Sequence, residues 1–341
     1  MQGLKSKQKI CHRRYAAILA ALALLLVVSF AASLLGGSTR ISLGEVLRAA
    51  VSMEMQNTTL RIFLYVRLPR VLGGLMCGAG LAAAGAVLQV VLNNSLAGPN
   101  IIGVNAGAGF AALLVMALFP DKVGLVPAAA FLGALACTML VYGVARATGK
   151  SRMTIVLAGV AVGSIVNAAS GGLKVLFPEI VNTYSGFSMG TLNGVTMDQL
   201  HAATPYLLIG LATALLLGGS MDILALGDEM ARSLGLHTER CRLALILCAA
   251  VLAGASVSIG GLIGFVGLLV PHAVRLLVGT KSRAVISGSA LLGGSCVLLC
   301  DLVGRMLFAP FELPAGILLS LLGGIGFILL LFRRKGGKMY A

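Results

Sequence analysis

Long apolar runs recur along almost the whole of this 341-residue chain, and they constrain its fold more than any motif does. A helix needs about 20 apolar residues to cross the hydrocarbon core of a bilayer. With 58% hydrophobic and 11% charged residues, the chain has more apolar surface than a soluble fold of this length could bury. We therefore predict an all-α, polytopic transmembrane helical bundle of about ten spans. The apolar runs lie near residues 15–35, 70–92, 101–119, 125–145, 153–173, 204–221, 242–259, 261–279, 284–300 and 315–332.

The distribution of basic residues predicts how these spans are oriented, because cytosolic loops carry an excess of Lys and Arg. With the N-terminus in the cytosol, the inner segments hold 18 of the 26 basic residues and four of the 11 acidic ones. The outer segments hold the other eight basic and seven acidic residues, so +14 of the net +15 lies inside. An even number of spans puts both termini in the cytosol. The excess of basic residues is then explained by the orientation of the protein in the membrane. We therefore do not expect nucleic-acid binding.

The first apolar run follows a basic segment, as in a signal peptide, but it is longer than a typical signal sequence and lacks a small-residue cleavage site. We expect it to be a retained first helix. The chain then divides into a cytosolic basic tail (1–14), one transmembrane domain (15–335) and a cytosolic tail (336–341), in a multi-pass protein of the cytoplasmic membrane.

The cysteines form no C-x-x-C pair and lie mostly within or beside apolar runs, where a free cysteine behaves as a small hydrophobic residue. We therefore expect no disulfide and no metal site. The seven residues are Cys11, Cys77, Cys137, Cys241, Cys248, Cys296 and Cys300.

A ten-residue polar island, GDEMARSLGL, separates two long apolar runs. Asp228 is a suitable N-cap residue, Asp228 and Arg232 are spaced for an i,i+4 ion pair, and Gly235 can end a helix in the left-handed conformation. We predict a small helix outside the bilayer, with Met230 and Leu234 on an apolar face that a partner could cover. The alternative is an ordinary solvated loop helix.

The outer segment Gly36–Pro69 is rich in arginine, against the inside bias. Within it, Ile41–Arg48 is predicted to form a short helix along the membrane surface. Arg67 and Arg70 would stand at the outer mouth of the protein. Two explanations stay open: the side chains reach lipid headgroups, or they form a docking face for an acidic outer partner.

The surrounding sequence argues against two candidate functional sites. The tripeptide Gly149–Ser151 resembles the end of a Walker A loop, but Val144 occupies the position of its first glycine, and a membrane helix rather than a strand precedes it. His272 could be a ligand or a proton-transfer group, but a buried, hydrogen-bonded histidine is the more ordinary role. Pro271 beside it is expected to kink or break a helix.

Several motifs recur in the order of a known family. They are RLPR at 67–70, LAGVAVG at 157–163, GDEMARSLGL at 227–236, GFVGLLVPHAVR at 264–275, and D-x-x-x-R from 301 followed by ELPAG at 312–316. From about residue 60 to 335 the chain resembles the FecCD-type permeases, the membrane subunits of ABC importers for iron-siderophores, haem and vitamin B12.

The resemblance implies ten helices and a larger complex in the membrane lipid. Its partners would be a second permease subunit, identical or paralogous, two cytosolic ATPase subunits, and an extracytoplasmic substrate-binding protein. ATP and magnesium would be held by the ATPase chains, so this chain would have no catalytic residue and no cofactor of its own.

The resemblance also assigns roles to residues at matching positions. The polar island would be the coupling helix that contacts the ATPase, and it consists of Gly227, Asp228, Glu229, Met230, Ala231, Arg232, Ser233, Leu234, Gly235 and Leu236. Arg67, Arg70 and Arg305 would dock the binding protein. The cytosolic gate would be formed by Asn94, Leu96 and Ser151.

Two positions depart from the family pattern: Ser95 replaces a usual proline in the exit turn, and Phe187 replaces a common tryptophan. The implied cargo is an iron(III)-siderophore, because most of the family serves iron, with haem, cobalamin or an oxyanion as alternatives. An ion-coupled secondary transporter would need carboxylates within the spans, which are scarce here. A membrane enzyme that uses His272 lacks a second catalytic partner at a suitable spacing.

Overall fold

The computed structural model describes residues 2–37, 44, 57–149, 151–307 and 310–336, and most of these residues are helical with no strand among them. The predicted all-α class is therefore confirmed. The surface helix predicted at 41–48 lies, apart from Gly44, outside the described residues. The helices are α1 Gln2–Leu35, α2 Thr58–Ile62, α3 Leu68–Val91, α4 Val104–Leu118, α5 Val126–Thr148, α6 Arg152–Leu176, α7 Ile180–Met189, α8 Met197–Leu216, α9 Gly218–Leu224, α10 Asp228–Ser233, α11 Thr238–Gly260, α12 Val266–Val278, α13 Ser282–Leu307 and α14 Ala315–Gly336.

Seven helical segments among the described residues are long and apolar enough to cross a membrane. Three further apolar helices, α4, α12 and most of α14, are shorter. At 1.5 Å per residue, the 15 residues of α4 and the 13 residues of α12 extend only about 20–23 Å, less than the hydrocarbon thickness of about 30 Å. Each of the ten predicted spans thus has a corresponding helix, whereas the number that cross the bilayer and the cytosolic position of the termini stay predictions.

Helix α3 lies at the centre of the bundle, packed against α11, α12 and α13. Close approach is possible because glycines face each other: a Cβ on Gly78 would overlap the Gly293 carbonyl of α13, and one on Gly85 would overlap the Gly267 carbonyl of α12. Inside a membrane, helices associate through van der Waals packing of such small residues rather than through the hydrophobic effect. The central helix is therefore held on two sides by backbone-to-backbone contact.

Helix α6 lies at the side of the bundle, where it packs against α4 and α5. Only 33% of its most apolar stretch is buried, compared with 78% for the segment that contains α3. Large side chains such as Leu157, Val160 and Ile165 project away from the chain. An exposed face on a spanning helix must meet lipid, another protein or a water-filled path.

The predicted start of the sixth span near residue 204 is wrong. Helix α8 begins at Met197, because Thr196 and Gln199 form a reciprocal capping box. Pro205 then lies inside the helix rather than at its start. A shorter helix, α7, precedes α8.

The predicted start of the eighth span is also wrong. Helix α12 begins at Val266, after Gly261 with φ +71° and Phe265 with φ +62°. The helix continues through Pro271, the sixth of its 13 residues, where the proline removes one backbone hydrogen bond. The break therefore comes before the proline and not at it.

The antiparallel arrangement places the functional candidates at two opposite ends of the bundle. Helices α6 and α11 begin at one end, beside α10, and this is called the Asp228 end. Helices α1 and α13 finish at the other end, where α3 begins, and this is called the Arg70 end. The 24 residues of α3 separate the two ends by about 36 Å.

Candidate functional site

The polar island forms a short helix, α10, as predicted. Glycine supplies the backbone on both sides, with φ +104° at Gly227 and φ +82° at Gly235. The predicted N-cap role of Asp228 is wrong: Gly227 is the N-cap, and Asp228 is the first helical residue. The predicted pair with Arg232 is wrong too, because other arginines approach Asp228 and Arg232 donates to Thr238 Oγ1.

The Asp228 carboxylate binds arginines from two different helices. Arg242 Nη2 of α11 lies 2.9 and 2.8 Å from the two carboxylate oxygens, and Arg152 Nη2 of α6 lies 2.9 Å from Oδ1. Burial by itself would raise the pKa of Asp228, but the hydrogen bond and charge of Arg242 and those of Arg152 outweigh it, so the pKa lies below its ordinary value. We call these three residues the Asp228 clasp. It connects α10 to the N-terminal parts of α6 and α11.

A second contact fastens the same region to the bundle. Asp222 Oδ1 of α9 accepts a hydrogen bond of 2.8 Å from the backbone nitrogen of Ser282, at the start of α13. The segment α9–α10 is therefore attached to three long helices, while its outer face stays open. Met230 and Leu234 are 55% and 57% exposed, and Ala231 is buried beneath them. An exposed apolar face on a firmly attached helix is suited to a protein partner.

At the Arg70 end, ion pairs join α3, α13 and the loop before α14, and hydrogen bonds add α1. Arg70 Nη2 lies 2.9 Å from Asp301 Oδ1, and Arg70 Nη1 lies 2.7 Å from Glu312 Oε2. Arg305 Nε pairs with the other Asp301 oxygen at 3.0 Å, and Arg305 Nη2 donates to Ser33 at the end of α1. The carboxylate of Asp301 is thus shared by two guanidinium groups.

The three arginines predicted to dock a binding protein are buried in this structure. Arg67, Arg70 and Arg305 are 4%, 6% and 3% exposed. Arg67 Nη1 donates to the carbonyls of Leu34 and Leu35 at 3.1 and 2.8 Å. The structure therefore brings the three residues together at one end. There they are buried in contacts between helices and do not form an exposed basic surface. Their docking role stays a prediction.

The predicted gate residues all lie in turns at the Asp228 end. Asn94 Oδ1 accepts a hydrogen bond of 2.9 Å from the Leu96 backbone, next to Asn93, which has φ +47°. Leu96 lines a cavity of about 120 Å³ together with Phe265. Ser151 is the N-cap of α6, where its Oγ accepts a 3.0 Å hydrogen bond from the Thr154 nitrogen. The gate function itself stays a prediction.

No group of three or more His, Cys, Asp or Glu side chains in the described part of the chain could hold a metal ion. Six of the seven cysteines are free thiols there. His272, considered above as a ligand, is half-buried.

A comparison of the sequence with known protein families identifies the family of this helical bundle. The sequence profile of the FecCD transport family matches residues 25–333. The chain belongs to the FecCD transport family.

Curated relatives of this FecCD family member differ in their cargo. The Fe(3+)-citrate import system permease protein YfmE of Bacillus subtilis is 39% identical over 266 residues, which cover 78% of this chain and 80% of YfmE. The cobalamin import system permease protein BtuC of Halobacterium salinarum is also 39% identical, over 271 residues that cover 79% of this chain and 73% of BtuC. Sequence identity alone therefore does not decide whether the cargo of this chain is an iron chelate or a corrinoid.

The fold of this FecCD family member also resembles that of a solved structure. A metal-chelate type ABC transporter in an inward-facing conformation superimposes with a TM-score of 0.81 at 30% identity. The match covers 93% of this chain and 99% of the other. The two chains thus share one overall architecture.

Sequence reasoning missed Arg152, Arg242 and Asp222 as functional candidates in this FecCD family member. A signal for one of them existed, because Arg152 is the first residue of α6, where the helix dipole disfavours a cation. A basic residue in that position indicates an acidic partner elsewhere. Which acid it meets could be learned only from the packing.

Proposed function

We propose that this chain is the permease subunit of an ATP-driven importer whose cargo is an iron(III)-siderophore. Membership of the FecCD transport family carries the class, a membrane permease subunit of a metal-chelate importer that is not itself catalytic. The cargo, the ATPase and the binding protein are our inference. In this proposal two permease subunits, two ATPase chains and an extracytoplasmic binding protein form the working complex.

The observation that supports energy coupling from another chain is the Asp228 end. The exposed face of α10 offers Met230 and Leu234 to a partner, while the Asp228 clasp transmits a displacement of α10 to α6 and α11. Ser151, the proposed gate residue, directly precedes Arg152 of the clasp. A push on α10 by an ATPase would therefore move the gate through a single ion pair, as alternating access requires.

The iron cargo is supported by the similarity to a Fe(3+)-citrate permease, and the equally similar cobalamin permease makes a corrinoid the main alternative. Haem is a further alternative within the same family. The binding protein would select the cargo, so the permease need only accept its size and charge.

The test is purification of the tagged chain from its own membranes, followed by native mass measurement and reconstitution into vesicles with its binding protein. We expect two permease and two ATPase chains, with vanadate-sensitive uptake of radioactive iron supplied as a ferric siderophore. Uptake of labelled cobalamin or haem instead would replace the proposed cargo and keep the class.

A secondary transporter makes the opposite prediction about energy. Uptake that persists without ATP and collapses when the ion gradient is removed would overturn the ABC proposal. Uptake that follows ATP and ignores the gradient would support it.

A further inference from the structure

A polar cavity of about 500 Å³ lies beside α6 and is lined by residues of α4, α6 and α7. On α6 the lining residues include Ser164, Asn167, Gly171 and Lys174, which recur every three or four positions and so share one face of the helix. The lining runs from Gly159 to Lys174, about 22 Å along the helix axis. We call this space the polar cavity. It follows α6 over most of the thickness of a bilayer core.

Polar side chains in a spanning helix are costly unless they face protein or water. The hydroxyl group of Ser164 has a hydrogen-bond partner within its own helix, since its Oγ donates to the Val160 carbonyl at 2.8 Å. Asn105 of α4 does not: its Oδ1 is buried, it lines the polar cavity, and it accepts no hydrogen bond from the described residues. A buried amide oxygen without a partner indicates that water or cargo supplies the missing hydrogen bond.

The polar cavity carries one positive charge and no negative one among its lining residues. Lys174 Nζ lies 4.8 Å from the centre of the Tyr184 ring of α7, and the two side chains line the cavity together. The aromatic face holds the ammonium group in place without neutralising it. In surroundings poorer in water than bulk solvent, a single fixed cation exerts a strong field over several ångströms.

We propose that the polar cavity is an anion-preferring part of the translocation path, and that Lys174 sets this preference. This rests on the proposed importer function. Amide and hydroxyl groups along α6 replace the water around a passing anion, and Lys174 attracts its net charge.

The test uses cysteine reporters in the reconstituted permease complex, so that no cargo has to be known. A Cβ at Gly171 meets no atom within 4 Å, and neither does one at Gly172 next to it. Gly171 lines the polar cavity, whereas Gly172 does not. Gly171→Cys is therefore the reporter and Gly172→Cys its matched control. The unsubstituted chain measures the background from its native cysteines.

Each variant is treated with an anionic and a cationic methanethiosulfonate reagent, and rates are divided by those of free cysteine. We expect Gly171→Cys to prefer the anionic reagent, and Lys174→Gln in the same chain to lower this preference about fivefold. Lys174→Glu should invert the preference, and Gly172→Cys should react slowly with both reagents.

Three results would overturn the inference. They are an unreactive Gly171→Cys in a complex that hydrolyses ATP, a cationic preference, or a preference that Lys174→Gln leaves unchanged. Gly163→Cys, another open position that lines the cavity, gives an independent reading if one variant fails to fold. Because reagent rates need no transport, failure here is distinct from failure of ATP-driven uptake, which would reject the importer itself.

Discussion

Arg152 Nη2 lies 2.9 Å from Asp228 Oδ1, although 76 residues separate the two in the chain. This ion pair connects the short helix α10 to α6, the helix that begins at the proposed gate and lines the polar cavity. Arg242 completes the arrangement from α11. The Asp228 end therefore links α10, α6 and α11 through shared ion pairs, and in the proposed importer a displacement of α10 would reach the wall of the path through them.

We expect Asp228→Asn to uncouple ATP hydrolysis from transport. The amide keeps the shape of the side chain but loses the charge that holds both arginines, so uptake per ATP hydrolysed should fall by about fivefold or more. The measurement is iron uptake and phosphate release in the same vesicles. Glu229→Gln is the matched control, since it removes one exposed carboxylate from the same helix. Equal losses in the two variants would contradict a specific role of the clasp.

The pH dependence of the clasp follows from the lowered pKa of Asp228. A carboxylate whose pKa is lower in the folded state stabilises the protein above its unfolded pKa of about 3.9 and loses this contribution as pH falls through the folded pKa. The difference in thermal unfolding between the natural chain and Asp228→Asn should be constant above about pH 5 and shrink on further acidification. A difference that already disappears between about pH 6 and 7 would show that the pKa is raised instead.

Leu234→Asp should remove the ATPase from the purified complex. Leu234 is 57% exposed on a helix attached to the bundle by other residues, so a charge there alters the contact face without disturbing the fold. Burying an unpaired charge in a contact of this kind weakens binding by about tenfold or more. Co-purification of the ATPase chains measures the effect, and Leu234→Met, which keeps an apolar side chain, should retain them. Full retention by Leu234→Asp would exclude this face as the ATPase contact.

Asp301→Asn should destabilise the permease strongly. The side chains of Asp301, Arg70 and Arg305 are 2%, 7% and 4% exposed, so removal of the shared charge leaves two buried cations with fewer partners. Breaking a buried pair of this kind costs about 3–5 kcal/mol. Thermal unfolding in detergent measures the loss. Glu312→Gln, at a side chain that is 31% exposed, should cost much less, and an equal cost would contradict the assigned burial.

This geometry also changes how docking at the Arg70 end should be tested. An Arg67→Glu and Arg70→Glu double variant would place a new carboxylate beside Asp301 and Glu312, and the loss of uptake could then result from misfolding. Arg67→Gln alone, at a residue whose Nη1 donates to backbone carbonyls, removes one charge without adding repulsion. We expect this variant to assemble and to bind the extracytoplasmic partner more weakly.

The sequence by itself determined the class of the protein and the position of the short helix. Runs of apolar residues near the length of a bilayer crossing dictate membrane helices, since a backbone in lipid must satisfy its own hydrogen bonds. Gly227 and Gly235 delimit α10 because positive φ values are inexpensive only for glycine. Both arguments concern neighbours within a few positions along the chain, and for that reason they were accessible without coordinates.

Only the tertiary structure decided which charges meet. Asp228 does not pair with Arg232, four residues away, but with Arg242 and Arg152, which are 14 and 76 residues away. Arg70 pairs with Asp301, 231 residues away. Helix periodicity offers a charge only its i,i+3 and i,i+4 neighbours, whereas the partner actually chosen depends on which helices pack side by side. The glycine contacts that set this packing, Gly78 with Gly293 among them, act through close van der Waals fit between distant segments, which no local pattern in a single sequence specifies.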